Sequence, residues 1–148
     1  MKNSEILEKI EKAVEFAKEG KIKNAMEIYE SLLEYEIPEV YNNIGNLYRR
    51  EGFLGKAIEM YKKAIQIDQN FPLAYFNLGC ALMELERYNE ARMFLEKAEK
   101  LGIKGFEIDV QLALSYLAIG ELAKAKERLK NEDVRREVSK YVEGGLNL

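Results

Sequence analysis

Histidine, tryptophan and threonine are all missing from this chain of 148 residues. Histidine is the commonest general base and metal ligand in proteins, so its absence removes the first candidates for both roles. The single cysteine, Cys80, cannot form a disulfide within the chain and has no histidine to activate it. We therefore predict that the protein is not an enzyme, has no catalytic residues and uses neither a metal nor a cofactor.

The sequence also lacks a long apolar run and an excess of positive charge. No window approaches the ~18 apolar residues that a membrane span needs, and the charged N-terminus has no signal-peptide core. A net charge of −3 argues against nucleic acid as a ligand. Because one unpaired cysteine suits a reducing compartment, we expect a cytoplasmic protein with neither a nucleic-acid nor a membrane partner.

What the sequence does contain is an internal repeat. Gly20, Gly52, Glu86 and Gly120 follow one another at intervals of 32, 34 and 34 residues. An alanine and then a large apolar residue stand five and nine residues after each of them: Ala25 and Tyr29, Ala57 and Tyr61, Ala91 and Leu95, Ala125 and Leu129. A constant period of this length is typical of stacked helical hairpins, which bury their apolar faces only against one another.

Hydrophobic spacing divides each copy into two amphipathic helices. The predicted helices cover residues 4–19, 22–35, 38–51, 54–67, 72–85, 88–101, 105–119, 122–131 and 133–143. Pro38 and Pro72 stand at the start of a first helix, where the missing N–H costs nothing. Asn131 or Asp133 is placed to cap the last helix.

Glycines mark two further features of the repeat. Gly20, Gly52 and Gly120 come where a first helix ends, which suits a left-handed C-terminal cap. Gly45 and Gly79 stand inside first helices, where glycine costs roughly 0.5–1 kcal/mol relative to alanine. That cost predicts that the second helix of the hairpin approaches closely at both positions.

The clearest copies carry their landmark residues in one pattern. Residues 38–71 have Tyr41, Ile44, Gly45, Tyr48, Ala57 and Tyr61, and residues 72–105 have Tyr75, Leu78, Gly79, Leu82, Ala91 and Leu95. This pattern resembles the tetratricopeptide repeat, a helix–turn–helix unit of 34 residues. The third copy departs from it at Glu86, which replaces the turn glycine, and the fourth departs at Asp109, where an aromatic residue is expected.

The resemblance implies an all-α fold, a right-handed α-solenoid of about four repeats. The repeats would cover residues 6–37, 38–71, 72–105 and 106–132, and a capping helix over 133–143 would close the last one. The whole chain, 1–148, would then form a single domain.

The resemblance also implies a function, that of a non-enzymatic protein–protein interaction module. Its first helices would line a concave groove that holds an extended or helical segment of another protein. The groove residues that we expect to bind this segment are Asn43, Asn46, Arg49, Phe76, Asn77, Met83, Val110, Gln111, Leu114 and Leu117. Members that clamp a carboxylate need basic residues where this chain has Asn42, Glu107 and Gln111, so we do not expect a carboxylate clamp.

The groove residues are of two kinds. Asn43, Asn77 and Gln111 lie 34 residues apart and would form a row of amides that holds a peptide backbone; the alternative is that they bond within their own repeats. The apolar members are Phe76, Met83, Val110, Leu114 and Leu117. We expect these to be largely exposed in an empty groove. The alternatives are that the superhelix curls tightly, that the C-terminal segment covers them, or that the helical phase differs and some of them belong to the core.

The charge of the ligand over the second repeat stays open at this point. Arg49 and Arg50 would favour a ligand that is polar or acidic there, although paired arginines near a helix end are often simply solvated.

The second hypothesis for function is a self-assembling, homo-oligomeric scaffold. In that case another copy, or the chain's own tail through Tyr141, Leu146 and Leu148, would fill the groove or the open end near residues 4–35.

Overall fold

The structure is a computed structural model that describes residues 1–142 and 144–146. Within these residues all regular secondary structure is helical. The helices are α1 (Asn3–Lys18), α2 (Ile22–Ser31), α3 (Pro38–Arg50), α4 (Leu54–Ile67), α5 (Pro72–Glu84), α6 (Tyr88–Lys100), α7 (Phe106–Ile119), α8 (Leu122–Arg128) and α9 (Glu132–Ser139). None of the helices described is long and apolar enough to cross a membrane.

The predicted helix bounds agree with the structure to within one residue, except at the C-terminal ends of α2, α8 and α9. After α2 the chain tightens into a 3₁₀ helix, Leu33–Tyr35. The α8 helix stops at Arg128 because Asn131 must be extended in order to cap α9. The α9 helix ends at Ser139, and residue 143, where its end was predicted, lies outside the described residues.

The chain divides into two compact units, Met1–Ala74 and Tyr75–Leu148. In the first unit, α1 packs against α2, α2 against α3 and α3 against α4. The buried core between α1, α2 and α3 contains Ile10, Ala13, Ala25, Tyr29, Leu32, Val40, Ile44 and Leu47. A single domain over 1–148, with repeat boundaries as given above, stays a prediction.

In the second unit, α7 is the central helix. It packs against α6, α8 and α9, and Ile108 and Leu112 on α7 are buried with Val134 and Val138 of α9. The side chain of Asn131 accepts hydrogen bonds from the backbone N–H groups of the first turn of α9, as the sequence predicted. The last described helix therefore covers an apolar face of the fourth repeat.

Both helix-interior glycines lie where the second helix of the hairpin comes close, as predicted. A Cβ added to Gly45 would lie 2.5 Å from Cε1 of Tyr61, and one added to Gly79 would lie 2.6 Å from Cγ of Leu95. Tyr61 and Leu95 are both fully buried, so neither side chain has room to move away. Glycine is thus required by contact between helices at these two positions.

The first helices end in one recurring turn. At Gly20, Gly52 and Gly120 the angle φ is +80°, +86° and +80°, and the backbone bonds are those of a Schellman motif. Glu86 takes the same left-handed conformation, with φ of +60°. Since a side chain is disfavoured there, the third repeat keeps the turn at a conformational cost that glycine avoids.

An ion network accounts for Asp109, which replaces the expected aromatic residue. Nη1 of Arg128 on α8 donates to Oδ1 of Asp109 on α7 at 2.8 Å and also to Glu99, on α6. Nη2 of Arg128 donates to Oε1 of Glu99 at 2.8 Å. The arginine holds the pKa of the Glu99 carboxyl below its usual range, chiefly through this hydrogen bond. Three helices are therefore joined by charge where the family pattern uses an aromatic side chain.

Candidate functional site

The second unit contains an open pocket of about 640 Å³. Helices α5 and α7, both first helices of a repeat, supply most of its lining, and the rest comes from the start of α6 and from the segment after α9. The lining residues are Cys80, Met83, Glu84, Tyr88, Gln111, Leu114, Leu117, Ala118, Tyr141 and Val142. We call this cavity the α5–α7 pocket.

Four of the predicted site residues meet in the α5–α7 pocket: Met83, Gln111, Leu114 and Leu117. All four are partly buried. The three apolar side chains supply a surface on which another apolar side chain could be buried, and the Gln111 amide offers both a donor and an acceptor. The pocket therefore combines an apolar surface with one neutral hydrogen-bonding group.

The prediction that the apolar groove residues are largely exposed is wrong. Val110 is only 5% exposed, and Phe76, Met83, Leu114 and Leu117 are partly buried. For the three residues on α7 the reason is that this helix packs against three others, so only a narrow stripe of it remains accessible. Val110 belongs to the core, and neither Val110 nor Phe76 is part of the pocket lining.

Sequence analysis did not assign Glu84 or Tyr88 to the site and named Tyr141 only as a tail residue that would fill the groove, although all three line the pocket. Glu84 ends α5 and Tyr88 begins α6, so a turn brings them to the same end of the pocket. Tyr141 follows α9 and is 66% exposed. Only the four-residue spacing of Glu84 and Tyr88 across a predicted turn could have indicated their proximity.

The polar residues predicted for the second repeat form their own contacts within the first unit. Asn43 hydrogen-bonds with the Tyr29 hydroxyl, and the hydroxyl of Tyr61 donates to Oδ1 of Asn46 at 2.7 Å. Burial raises the pKa of the Tyr29 phenol, the hydrogen bond with Asn43 lowers it, and the charge of Glu39 raises it. Both asparagines therefore bond within the chain: Asn46 bonds within its own repeat, and Asn43 bonds with Tyr29 of the preceding repeat.

A second, smaller pocket lies beside these amides in the first unit. Its volume is about 470 Å³, and it is lined by Ile37, Pro38, Glu39, Asn42, Asn43, Asp68, Phe71 and Leu73. Neither Asn46 nor Arg49 belongs to this lining. The peptide-holding row of Asn43, Asn77 and Gln111 stays a prediction.

Arg50 is bound to the protein itself. Its Nη1 atom donates to the carbonyl oxygen of Ala17, at the C-terminal end of α1, at 2.6 Å. A cation suits that position because the C-terminal end of a helix carries partial negative charge. Arg50 therefore has a partner within the chain, and its pairing with an acidic ligand stays a prediction.

The described residues contain no group of three or more histidine, cysteine or acidic side chains arranged to hold a metal ion. Cys80 lines the α5–α7 pocket and is otherwise buried.

Comparison with known families and structures fits this helical-hairpin architecture. A family described as TPR repeat matches residues 45–86, and a family described as Tetratricopeptide repeat matches residues 73–101. The chain therefore contains tetratricopeptide repeats. Its fold class is the predicted one, an all-α solenoid of tetratricopeptide repeats.

Individual relatives of this tetratricopeptide-repeat chain are distant. A TPR repeat-containing protein of Methanocaldococcus jannaschii is 33% identical in an alignment that covers 60% of this chain but only 17% of that protein. The first TPR domain of Spaghetti (RPAP3), solved with an HSP90 peptide, matches 81% of this chain and 97% of its own length at 22% identity and a TM-score of 0.74. YrrB, described as a TPR protein with an unusual peptide-binding site, matches 74% of this chain and 61% of its own at 24% identity and a TM-score of 0.68.

Proposed function

We propose that this chain is a non-enzymatic protein–protein interaction module that binds a peptide or helical segment of a partner protein. The observation that carries the proposal is the α5–α7 pocket, where Met83, Leu114 and Leu117 from two first helices line one cavity. Two structures of the same fold support it, since one was solved with a bound HSP90 peptide and the other is described by its peptide-binding site.

The size of the pocket suits one or two ligand side chains. Burying an apolar side chain such as leucine contributes roughly 1.5–3 kcal/mol. Two such anchors contribute roughly 3–6 kcal/mol, which after the cost of ordering the peptide corresponds to an affinity on the order of 0.1 mM or weaker from the pocket alone. Hydrogen bonds from the Gln111 amide to the peptide backbone would fix the position of the segment without requiring a particular sequence.

The carboxylate terminus of a peptide is not the ligand that we propose. Among the described residues, no lysine or arginine lines either the α5–α7 pocket or the smaller pocket of the first unit. A carboxylate placed in either pocket would meet Glu84, or Glu39 and Asp68, with no counter-charge in the lining. The proposed ligand is therefore an internal segment of a partner.

A selection from random peptides tests the proposal. Peptides displayed on phage would be selected on the immobilised full chain and then measured against two variants, Leu114→Asp in the α5–α7 pocket and Leu122→Asp outside it. Leu122 lies on α8 and is 48% exposed, so it controls for the charge and for the substitution itself. Circular dichroism would establish that both variants fold.

We expect the selected peptides to bind the wild type and Leu122→Asp equally, and to lose at least about tenfold in affinity for Leu114→Asp, since a buried charge replaces an apolar contact. Equal binding to a folded Leu114→Asp would show that the pocket is not the site. Failure to select any peptide would contradict the proposal as a whole.

The self-assembling scaffold remains the second hypothesis. It is favoured by Leu7, an exposed apolar residue on α1, the outer helix of the first repeat. Light scattering over a range of protein concentrations separates the two hypotheses. A chain that stays monomeric at the highest concentration excludes a stable homo-oligomer, whereas a mass that rises in steps would favour it.

A further inference from the structure

We infer that the α5–α7 pocket selects an aromatic side chain of the partner segment, and that the ring of Tyr141 packs against it. This inference rests on the proposed function and adds to it the class of side chain that the pocket accepts. Its basis is the pair of tyrosines in the lining, Tyr88 and Tyr141.

The ring of Tyr141 is available to a ligand while its backbone is held in place. Among the large hydrophobic side chains that the structure describes, Tyr141 is the most exposed, at 66%. Its N–H group donates to the carbonyl oxygen of Val138 at 3.0 Å, and Val138 is fully buried. A group that is positioned before binding loses little freedom when a ligand arrives. Most of the ring surface can therefore be buried by a ligand at a low cost in ordering.

Neither tyrosine of the lining stacks on another aromatic ring in the part of the chain that the structure describes. Other rings of the chain do form pairs: the ring centres of Tyr48 and Phe53 are 6.5 Å apart. Those of Tyr75 and Phe94 are 6.3 Å apart. Such pairs contribute more than the area that they bury, because the negative face of one ring attracts the positive edge of the other. The pocket thus offers two rings with which a ring of the ligand can pair.

The apolar part of the lining also suits a ring. Met83 lines the pocket together with Leu114 and Leu117, and the thioether of methionine makes favourable contacts with aromatic rings. An aromatic side chain placed on the two leucines would bury them and would reach Met83 and Tyr141 in the same cavity. An aliphatic side chain would gain the burial but not the aromatic contacts.

The charged groups at this side of the pocket do not require a charged ligand. Glu84 is the one charged residue of the lining within the described residues, and it already has an interaction partner in the chain. Lys140, beside Tyr141, and Arg87 lie outside the lining, and each is held in an ion pair at 2.8 Å. Glu86 lies outside the lining as well. An uncharged aromatic side chain therefore matches the lining better than a lysine or a glutamate.

Capped synthetic peptides that differ in one side chain test the inference. The probes are acetyl-GSAFASG-amide and the two peptides in which cyclohexylalanine or leucine replaces the phenylalanine. Cyclohexylalanine has nearly the shape of phenylalanine but a saturated ring, so the comparison separates aromatic pairing from burial of apolar surface. Each probe would be titrated into the ¹⁵N-labelled chain while the amide shifts of residues 80–88, 111–118 and 141–142 are followed.

Three variants locate the source of the preference. Tyr141→Ala removes the exposed ring, and Tyr141→Phe keeps the ring without its hydroxyl. Phe106→Ala is the matched control, because Phe106 is an exposed aromatic residue of the same unit that lies outside the lining. Phe106 borders a separate small cavity with residues of α9, so this variant also reports any effect that is passed through α9. Circular dichroism would establish that all three variants fold.

We expect the phenylalanine probe to bind about threefold or more tightly than the cyclohexylalanine probe, as for an aromatic pair. Tyr141→Ala should reduce that ratio to below about twofold, whereas Tyr141→Phe and Phe106→Ala should leave it unchanged. If the three probes bind the pocket with equal affinity, or a folded Tyr141→Ala keeps the full ratio, the inference is wrong and the proposed function stands.

Two other outcomes also overturn the inference. If no probe shifts the pocket amides, the pocket does not take an aromatic side chain, and the phage selection then decides separately whether it binds any segment. If the same amides shift with protein concentration when no peptide is present, a second copy of the chain occupies the pocket, which contradicts the inference and the proposed function together.

Discussion

Replacing Arg128 by alanine should destabilise the chain more than the same change at an exposed arginine of the second unit. Arg128 joins α6, α7 and α8 through three hydrogen bonds to Glu99 and Asp109, and its side chain is only 21% exposed. Its removal leaves two carboxylates, each about one-third exposed, without their shared partner. The partial exposure of these carboxylates reduces the cost of losing their partner.

We expect a loss of about 1–3 kcal/mol in the free energy of unfolding, which lowers the melting temperature by about 2–4 °C per kcal/mol in a chain of this size. Thermal and urea unfolding followed by circular dichroism would measure it. Arg136→Ala is the matched control, because Arg136 on α9 is 73% exposed and its ion pair with Asp133, at 3.3 Å, is exposed as well. If Arg128→Ala costs no more than Arg136→Ala, the network contributes nothing to stability.

The same network predicts a dependence on pH. The pKa of Glu99 is lower in the folded protein than its ordinary value of 4.5, mainly because of the hydrogen bond from Arg128. A depressed folded pKa gives stability that is present above the unfolded pKa and is lost as the pH falls through the folded one. The difference in stability between wild type and Arg128→Ala should therefore shrink below about pH 4.5. A difference that is constant or grows below that pH would contradict this assignment.

Two further predictions each compare a pair of variants that remove or introduce a glycine, and thermal unfolding measures both. Gly45→Ala should cost about 1–3 kcal/mol because its Cβ would meet the buried ring of Tyr61. Gly55→Ala, where nothing lies within 4 Å, should be neutral or stabilising by up to about 1 kcal/mol. Glu86→Gly should stabilise by about 1 kcal/mol by relieving a left-handed φ of +60°. Glu51→Gly should give no such stabilisation, because φ at Glu51 is −83°. Equal changes in stability for Gly45→Ala and Gly55→Ala would refute the packing argument. Equal changes for Glu86→Gly and Glu51→Gly would refute the argument from backbone conformation.

The helices could be predicted from sequence because local rules determine them. Hydrophobic spacing placed nearly every helix boundary, and the turn at Gly52 follows from the ability of glycine to adopt a positive φ. The close approach at Gly45 was also predictable, since a glycine inside a helix needs a packing reason. These features depend on residues that are near one another in the chain.

The side-chain partners were not predictable in the same way. Arg50 bonds to a carbonyl of α1, 33 residues away in the chain, and Arg128 bonds to Glu99, 29 residues away. Val110 is buried because α7 has three neighbouring helices, which a periodic pattern does not show. The candidate site was therefore predicted only in part: its apolar residues Leu114 and Leu117 were identified, but Glu84 and Tyr88 were not.

The central claim is that the α5–α7 pocket binds a segment of a partner protein. Its most direct test is to titrate the tightest phage-selected peptide into the ¹⁵N-labelled chain and map the amide shifts. The account predicts saturable shifts concentrated in residues 80–88, 111–118 and 141–142, which disappear in folded Leu114→Asp and persist in Leu122→Asp. Shifts concentrated elsewhere on the chain, and unchanged in Leu114→Asp, would contradict it.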